Sequence, residues 1–242
     1  MKIPAIKGII RRRLLLNYRV SPDHVQAILP GNFRPKLVRG HAIAGICLIR
    51  LEQVRPTFLP SFTGIASENS AHRIAVEWED TNGVTKEGVF VPRRDTSSLL
   101  SSLAGGRIFP GVHHHSRFEV HDQDGEISLK VISNSSSLIE VQAGESKAFP
   151  DDSIFASFAE SSRFFESGCI GYSSRPNSSR LDGLLLKVPE WRATPLEVHS
   201  IQSSFFDDPK RFPSESIAFD HALLMRDIPH EWHSEPEINY SK

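Results

Sequence analysis

The stretch SENSAHRIAVEW, residues 67–78, has the alternation that is typical of a β-strand. Successive side chains of a strand point to opposite faces, so residues two apart share a face. The apolar residues at the end of the stretch mark the core side, and the polar residues of that face are therefore predicted to point inward. On this face lie Glu68, Ser70 and His72, followed by Ile74, Val76 and Trp78.

A charged side chain on a core face is costly unless it is paired or lines a cavity. The polar residues of this face therefore line either a pocket or a hydrated end of the sheet. In a dry pocket, carboxyl and imidazole groups can have pKa values near neutrality, which suits general acid–base catalysis. We predict Glu68 and His72 as catalytic residues, and Ser70 and Trp78 as ligand-binding residues on the same wall.

A second informative stretch, RIFPGVHHHSRFEV at residues 107–120, contains three consecutive histidines. Phasing this strand by its apolar end places His114 on the inward face, and we predict it as a third catalytic residue. Neighbouring strand residues face opposite ways, so the three histidines cannot all bind one metal ion on a regular strand. We predict no metal site, and a pair formed by His113 and His115 is the remaining alternative.

Composition excludes several classes of protein. The chain has 242 residues, with 28 Lys and Arg against 29 Asp and Glu, which disfavours binding to nucleic acid. Its two cysteines, Cys47 and Cys169, form no CxxC pair, so we expect reduced thiols in a cytoplasmic protein. No apolar stretch is long enough for a transmembrane helix, so we expect no membrane partner. No P-loop, GxGxxG or GxSxG sequence occurs, and we predict no cofactor.

The rest of the sequence predicts about ten strands, most of them linked as hairpins, and three short helices. This content favours an α+β fold with a curved antiparallel sheet or barrel and peripheral helices. We predict one domain over residues 1–233 and a frayed tail over residues 234–242. The first predicted helix spans residues 21–29, the second runs from residue 95 or 96 to Gly105-Gly106, and the third follows Pro150 and ends at Gly168. Residues 172–183 are predicted as a loop.

Several segments together resemble the acetoacetate-decarboxylase-like superfamily, and most closely an uncharacterised bacterial branch of it. Besides the strand with Glu68, the most specific segments are GGRIFPGVHHHSRFEV and LLLKVPEWRATPL, and the similarity covers most of the chain. The resemblance implies a cone-like antiparallel barrel around an internal cavity, with helices outside. It also implies a small organic acid or keto compound as the ligand.

The resemblance has one large departure from the true decarboxylases. Those enzymes use a lysine in a Gly-Phe-Pro-Lys-Lys segment to form a Schiff base with the substrate. Aligned on Gly111, the present chain has His114 at the position of that lysine. A histidine cannot form the iminium, so the resemblance implies that decarboxylation by this route is absent.

The branch itself usually has Glu-x-Asn-x-Arg on the strand of Glu68. Here Ser70 replaces the asparagine and His72 replaces the arginine, unless a one-residue slip assigns the arginine position to Arg73. Arg107 matches the Gly-Arg position of the superfamily, and the resemblance implies that it is a cationic ligand-binding residue.

Two functions are consistent with these patterns. One is an enzyme that performs lyase or hydrolase chemistry by acid–base catalysis on a small acid. The other is a non-catalytic protein that binds or senses such a molecule. The missing lysine favours binding, and the ionisable inward residues favour catalysis. Edge strands of curved sheets often pair across a two-fold axis, so we expect a homodimer.

Overall fold

The fold consists of one large mixed sheet with a few short helices. The computed structural model describes residues 5–99, 111–133, 138–175 and 178–239. Within these ranges the sheet has 13 strands. They are β1 (Ile6–Val20), β2 (Arg34–Pro35), β3 (Leu37–Val38), β4 (His41–Pro56), β5 (Ile65–Glu79), β6 (Thr85–Thr96), β7 (His113–Gln123), β8 (Glu126–Ser133), β9 (Leu138–Glu145), β10 (Ile170–Ser174), β11 (Arg180–Lys187), β12 (Thr194–Ser203) and β13 (Ile217–Asn239).

The sheet closes on itself in two rings that share five strands. The larger ring has the order β6-β7-β8-β9-β12-β13-β1-β4-β5 and closes because β5 pairs with β6. In the smaller ring β13 pairs with β11, β11 pairs with β10, and β10 pairs with β6. Strands β5, β4 and β1 then connect β6 back to β13. The strands β13, β1, β4, β5 and β6 are therefore common to both rings. This arrangement confirms the predicted curved sheet that closes on itself.

The sheet is mixed and not purely antiparallel as predicted. Strand β6 runs parallel to both β7 and β10, while the other pairings are antiparallel. Parallel neighbours need long crossover connections, and these are present before both β7 and β10. The hairpin signals in the sequence report only local pairing, so they could not reveal these two contacts.

Both faces of the shared strands are covered. On β1, Leu14, Leu15 and Leu16 are each at most 1% exposed. One face packs with apolar side chains of β8 and β9 in the main core, which lies in the larger ring. The other face packs against Phe155 and Phe165 and contributes to the smaller ring. A strand buried on both faces reads as a continuous apolar run, as β1 does.

The described ranges contain two complete α-helices, α1 (Pro22–Gln26) and α2 (Phe158–Ser167), a 3-10 helix at Ser61–Thr63 and one further helical residue, Leu99. Three helices were predicted. The second predicted helix is wrong at its start, because residues 95 and 96 pair with β5 at the end of β6, and most of its remainder lies outside the described residues. None of the helices described is both long and apolar enough to cross a membrane.

Helix α2 begins later than predicted. Ser153 Oγ and the Ile154 amide both donate to the carboxylate of Asp220, at 2.7 and 3.0 Å, which holds this segment in a non-helical conformation. Ser157 is the N-cap instead, and its side chain accepts a hydrogen bond from the Glu160 amide at 3.2 Å. The helix ends at Gly168 as predicted.

The segment predicted as a frayed tail belongs to β13 as far as Asn239. Ser234 pairs with Leu184, and Ile238 pairs with Leu181. The predicted loop at residues 172–183 likewise contains the end of β10 and the start of β11. Both corrections concern the same small ring, whose pairings connect residues far apart in sequence.

Replacing Ser157 by alanine should lower the free energy of unfolding by about 1 kcal/mol, because the first turn of α2 loses its side-chain cap. Aspartate at this position can accept the same hydrogen bond, so Ser157→Asp is the matched control and should stay close to the wild type. Urea unfolding of the three proteins measures the difference. Equal stability of Ser157→Ala and the wild type would show that the cap contributes nothing.

Candidate functional site

A cavity of about 140 Å³ lies within the smaller ring, on the face of β5 opposite the main core. Strands β1, β4, β5, β6 and β11 contribute most of its lining, and α2 contributes Phe165. Most of the wall is apolar, as is usual for sites that bind small molecules. The apolar lining includes Ile49, Leu51, Val89, Val91, Leu184 and Trp191.

Three arginines from three strands line this apolar cavity. They are Arg13 on β1, Arg73 on β5 and Arg94 on β6. Among the residues that the structure describes, none of the three forms an ion pair with a carboxylate. Cations in an apolar environment are expensive unless they are paired. The cavity is therefore electrostatically suited to an anion.

Arg73 is the most deeply buried of the three, with 4% of its surface exposed. One terminal nitrogen donates to Oδ1 of Asn17, and the guanidinium lies 4.6 Å from the centre of the Phe165 ring. Its Nε atom is buried without a hydrogen-bond partner in the described structure. Burial lowers the pKa of Arg73 to about 10, so the side chain remains charged at neutral pH.

A chain of buried hydrogen bonds holds Asn17, and through it Arg73. Asn17 Nδ2 lies 3.0 Å from Nε2 of His221, and Nδ1 of His221 lies 2.5 Å from Oδ2 of Asp220. Ser161 Oγ on α2 is also 2.7 Å from Nε2 of His221. The order Ser161–His221–Asp220 resembles a hydrolytic triad, but Ser161 and His221 are 0% exposed and do not line the cavity. These contacts instead connect α2 with β13, and they orient Arg73 through Asn17.

The other two arginines contact groups other than carboxylates. Arg94 Nε donates to Ser173 Oγ at 3.2 Å, and burial lowers the pKa of Arg94 to about 10. Arg13 Nε donates to Sγ of Cys47 at 3.2 Å, and its guanidinium carbon lies 5.7 Å from the centre of the Trp191 ring. These contacts orient the guanidinium groups without neutralising their charges.

The cavity also has a polar edge formed by Asn69, Asp95 and His113. Asp95 is already well bonded, because it accepts two hydrogen bonds from Arg93 and one from Ser116 Oγ at 2.8 Å. These bonds outweigh burial and keep the pKa of Asp95 below its usual value. In the described part of the chain, no three His, Cys, Asp or Glu residues are grouped so that they could hold a metal ion.

Of the residues predicted on the strand of Glu68, only Ser70 lines the cavity. Glu68 lies on the opposite face, where a nitrogen of Arg12 is 2.8 Å from its carboxylate and a nitrogen of Arg50 is 3.9 Å away. Burial raises the pKa of Glu68, while the charges of both arginines act in the opposite direction. The Ser70 hydroxyl donates to Asp95 at 3.4 Å.

His72 and Trp78 point into the main core, as the phase of the strand predicted. His72 packs between Phe205 and Phe206, with ring centres 4.7 and 5.7 Å away. Trp78 makes an edge contact with Phe33 at 5.4 Å. The face of β5 that points into the main core is tightly packed, and the cavity lies on the opposite face of this strand. Neither side chain therefore reaches the cavity.

His114 shares the face of Ser116 on β7 and is partly buried, while the neighbouring His113 lines the cavity. Glu68, His72 and His114 therefore do not converge on the cavity. Arg107 lies outside the described residues. Arg73, which the sequence left as an alternative to His72, is the residue of that pair that faces the cavity, and the pairing of β5 with β6 shifts register between His72 and Ile74.

The site residues predicted from the sequence did not include Arg13, Arg94 or Cys47. Each of these residues interrupts a strand that is apolar on both faces. A polar or ionisable residue at such a position can indicate a cavity. Arg13 precedes the run of three leucines on β1, and Arg94 follows the apolar run of β6. The signal is weak, since a strand end that meets solvent gives the same pattern.

Comparison with known proteins agrees with this architecture. Residues 10–216 match the model of the DUF2071 family, which is described as an uncharacterized conserved protein. No curated protein sequence matches the chain significantly.

Three solved structures share the fold at low identity. Acetoacetate decarboxylase from Legionella pneumophila is 16% identical with a TM-score of 0.59, over 97% of this chain and 88% of that chain. An acetoacetate decarboxylase-like enzyme from Sphingomonas wittichii RW1 is 13% identical with a TM-score of 0.61, over 98% and 94% of the two chains. The enduracididine biosynthesis enzyme MppR, complexed with pyruvate, is 11% identical with a TM-score of 0.57, over 100% and 92%. The chain belongs to the DUF2071 family and shares the fold of acetoacetate decarboxylase.

Proposed function

We propose that this protein binds a small carboxylate, such as a keto acid, in the cavity of the smaller ring. The observation that supports the proposal is the set of three arginines, Arg13, Arg73 and Arg94, which line an apolar cavity without carboxylate partners in the described structure. A guanidinium can hold a carboxylate through two parallel hydrogen bonds, and such charge-assisted bonds are strong away from water. The volume of about 140 Å³ favours a small ligand.

The keto group is the finer part of the proposal. MppR, which shares the fold, is complexed with pyruvate in one of its structures. Pyruvate combines a carboxylate with a small apolar end, as this cavity requires. It is therefore the first ligand to test, together with longer 2-keto acids and simple carboxylates.

Binding is the function that the geometry favours over acid–base catalysis. Glu68 is ion-paired with Arg12, and His72 is packed among phenylalanines, so neither is placed to exchange a proton with a molecule in the cavity. Catalysis by Glu68, His72 and His114 remains a separate prediction. The Schiff-base route would need a lysine, and no lysine lines the cavity within the described residues.

Calorimetric titration tests the proposal. Pyruvate should bind the wild type and raise its melting temperature, since a ligand of the native state stabilises it. Pyruvamide has nearly the same shape without the charge and should bind much more weakly. Arg73→Gln should lower the affinity for pyruvate by about 1.5–3 kcal/mol, the usual contribution of a hydrogen bond to a charged group.

The matched control is Arg34→Gln, which removes an exposed arginine that pairs with Glu77 and Glu79 and is not among the residues lining the cavity. This variant should bind pyruvate as the wild type does. Equal affinity for pyruvate and pyruvamide, or unchanged affinity in Arg73→Gln, would contradict the proposal. So would the absence of binding by every carboxylate in the set.

A further inference from the structure

Two cysteines line the cavity, and their sulfur atoms have opposite hydrogen-bonding roles. Sγ of Cys47 accepts a hydrogen bond from Arg13 Nε at 3.2 Å. Sγ of Cys169 donates to the carbonyl oxygen of Glu166 at 2.7 Å, and burial raises the pKa of the Cys169 thiol. Cys47 is the more buried of the two, and among the described residues its own S–H makes no hydrogen bond, whereas the S–H of Cys169 is bound to the Glu166 carbonyl. The guanidinium of Arg13 gives the Cys47 sulfur the electropositive surroundings in which nucleophilic cysteines are found.

The strand register places Cys47 beside the anion-binding arginines. Cys47 on β4 pairs with Ala71 on β5, and Ala71 pairs with Arg94 on β6. Two strand spacings separate the Cα atoms of Cys47 and Arg94 by about 10 Å. Arg73 lies two residues beyond Ala71 on the same face of β5. The thiol and the two guanidinium groups therefore border one space of small-molecule size.

A second feature supports a ligand-binding role for this space. The Nε atom of Arg73 is buried and has no partner among the described residues, although the rest of the guanidinium is held by Asn17 and Phe165. Buried donors are almost always satisfied in native proteins. A carboxylate between Arg73 and Arg94 would satisfy this donor and would lie next to Cys47.

We propose that Cys47 captures the keto carbon of a 2-keto acid whose carboxylate is held by Arg73 and Arg94. A bond forms between Sγ and the carbonyl carbon, the π bond of the carbonyl breaks, and the thiol proton moves to the carbonyl oxygen. The product is a thiohemiketal, and no oxidant or second reactant is consumed. The inference rests on the carboxylate binding proposed above and names the reactive group of that site.

Carbon NMR with pyruvate labelled at the keto carbon tests the bond directly. We expect a protein-bound resonance in the region of tetrahedral carbons. It should be lost in Cys47→Ala and retained in Cys169→Ala, the matched control within the same cavity. Pyruvate hydrate also has a tetrahedral carbon, but its signal is present without protein and is the same for every variant.

Alkylation of the wild-type protein gives a second readout that needs no variant at the cysteine. Iodoacetate carries a carboxylate and iodoacetamide does not, and peptide mass spectrometry reports the modification rate at each cysteine. The ratio of the iodoacetate rate to the iodoacetamide rate should be higher at Cys47 than at Cys169 by about tenfold or more, the effect of one charge-assisted hydrogen bond. Arg73→Gln should reduce the ratio at Cys47.

The two readouts separate this inference from the proposed function. If pyruvate binds but gives no Cys47-dependent resonance, covalent capture is overturned and carboxylate binding stands. A rate ratio that is the same at both cysteines also overturns the reactivity assigned to Cys47. If pyruvate does not bind at all, the capture of 2-keto acids is overturned together with its basis.

Discussion

Replacing Arg12 by alanine is expected to destabilise the protein by about 3–5 kcal/mol, the usual cost of removing one partner from a buried ion pair. Arg12 donates to Glu68 at 2.8 Å and to Asp122 at 3.3 Å. The side chains of Arg12 and Glu68 are only 5% and 12% exposed. After the substitution, Arg50 at 3.9 Å is the one cation left beside Glu68 among the described residues, while Asp122 keeps its two bonds to Arg226.

The loss should depend on pH in a defined direction. Burial raises the pKa of Glu68, and the charge of Arg12 opposes that rise. Without Arg12 the folded-state pKa moves further above the unfolded value, so the penalty grows as the pH rises above about 4.5 and the carboxyl ionises in the unfolded chain. Urea unfolding at pH 5 and pH 8 should therefore show a larger deficit of Arg12→Ala at pH 8.

A double variant identifies the source of the loss. Glu68→Gln removes the charge that Arg12→Ala leaves unpaired, so Arg12→Ala with Glu68→Gln should be more stable than Arg12→Ala alone at pH 8. If Arg12→Ala is as stable as the wild type, the ion pair between Arg12 and Glu68 does not stabilise the fold. A double variant that recovers no stability would place the loss in the contact with Asp122.

The sequence predicts the orientation of β5 correctly and the position of the cavity incorrectly, for one physical reason. Alternation identifies which side chains share a face, and Glu68 and His72 do share the face of Trp78. Ser70 alternates with them but also borders the polar edge of the cavity beside Asp95. Alternation does not reveal whether the other face meets water or a second layer. Here both faces are covered, and the face with Arg73 borders the cavity.

The cavity could not be located from the sequence because distant segments close it. Strand β10 has five residues, and only Gly171 and Tyr172 pair with β6. Strand β11 then pairs with the last residues of β13, a region that was predicted as a tail. Such short, long-range pairings leave little periodicity in the sequence, whereas the long strands and tight turns that form the larger ring leave a clear one.

The residues that line the cavity were predicted only in part, for the same reason. A small acid as ligand was expected from the resemblance, and it is proposed here on the three cavity arginines, which have no carboxylate partner among the described residues. The expected arginine, Arg107, lies outside the described residues. Arg73 was named only as an alternative, because a shift of one residue in a strand moves every side chain to the other face.

Lowering the pH is expected to remove about 3 kcal/mol of stability through His72 alone, given 1.36 kcal/mol per unit of pKa difference. His72 is 1% exposed, and neither of its ring nitrogens has a hydrogen-bond partner in the described structure. Burial lowers its pKa from 6.5 to about 4, and the charge of Asp95 opposes this less strongly. Arg93 and Arg211, the other charged neighbours, reinforce the lowering.

The sign follows from the two pKa values. The folded pKa lies below the unfolded one, so the fold favours neutral imidazole. The contribution of His72 is complete above pH 6.5, falls as the unfolded chain takes up a proton, and is fully lost near pH 4. Burial also lowers the pKa of His230 to about 4, so His230 titrates in the same window and the wild-type curve contains both contributions.

The variant His72→Phe isolates the first contribution. Phenylalanine keeps the packing against Phe205 and Phe206 and cannot be protonated, so the free energy of unfolding should fall less between pH 7.5 and pH 5 than in the wild type. Removing two unsatisfied nitrogens should also leave the stability at pH 7.5 unchanged or higher. Identical pH curves for the variant and the wild type would show that His72 titrates normally, as a catalytic base open to solvent would. A flattened curve identifies His72 as a neutral core residue that contributes to the fold and leaves the chemistry of the cavity to the opposite face of β5.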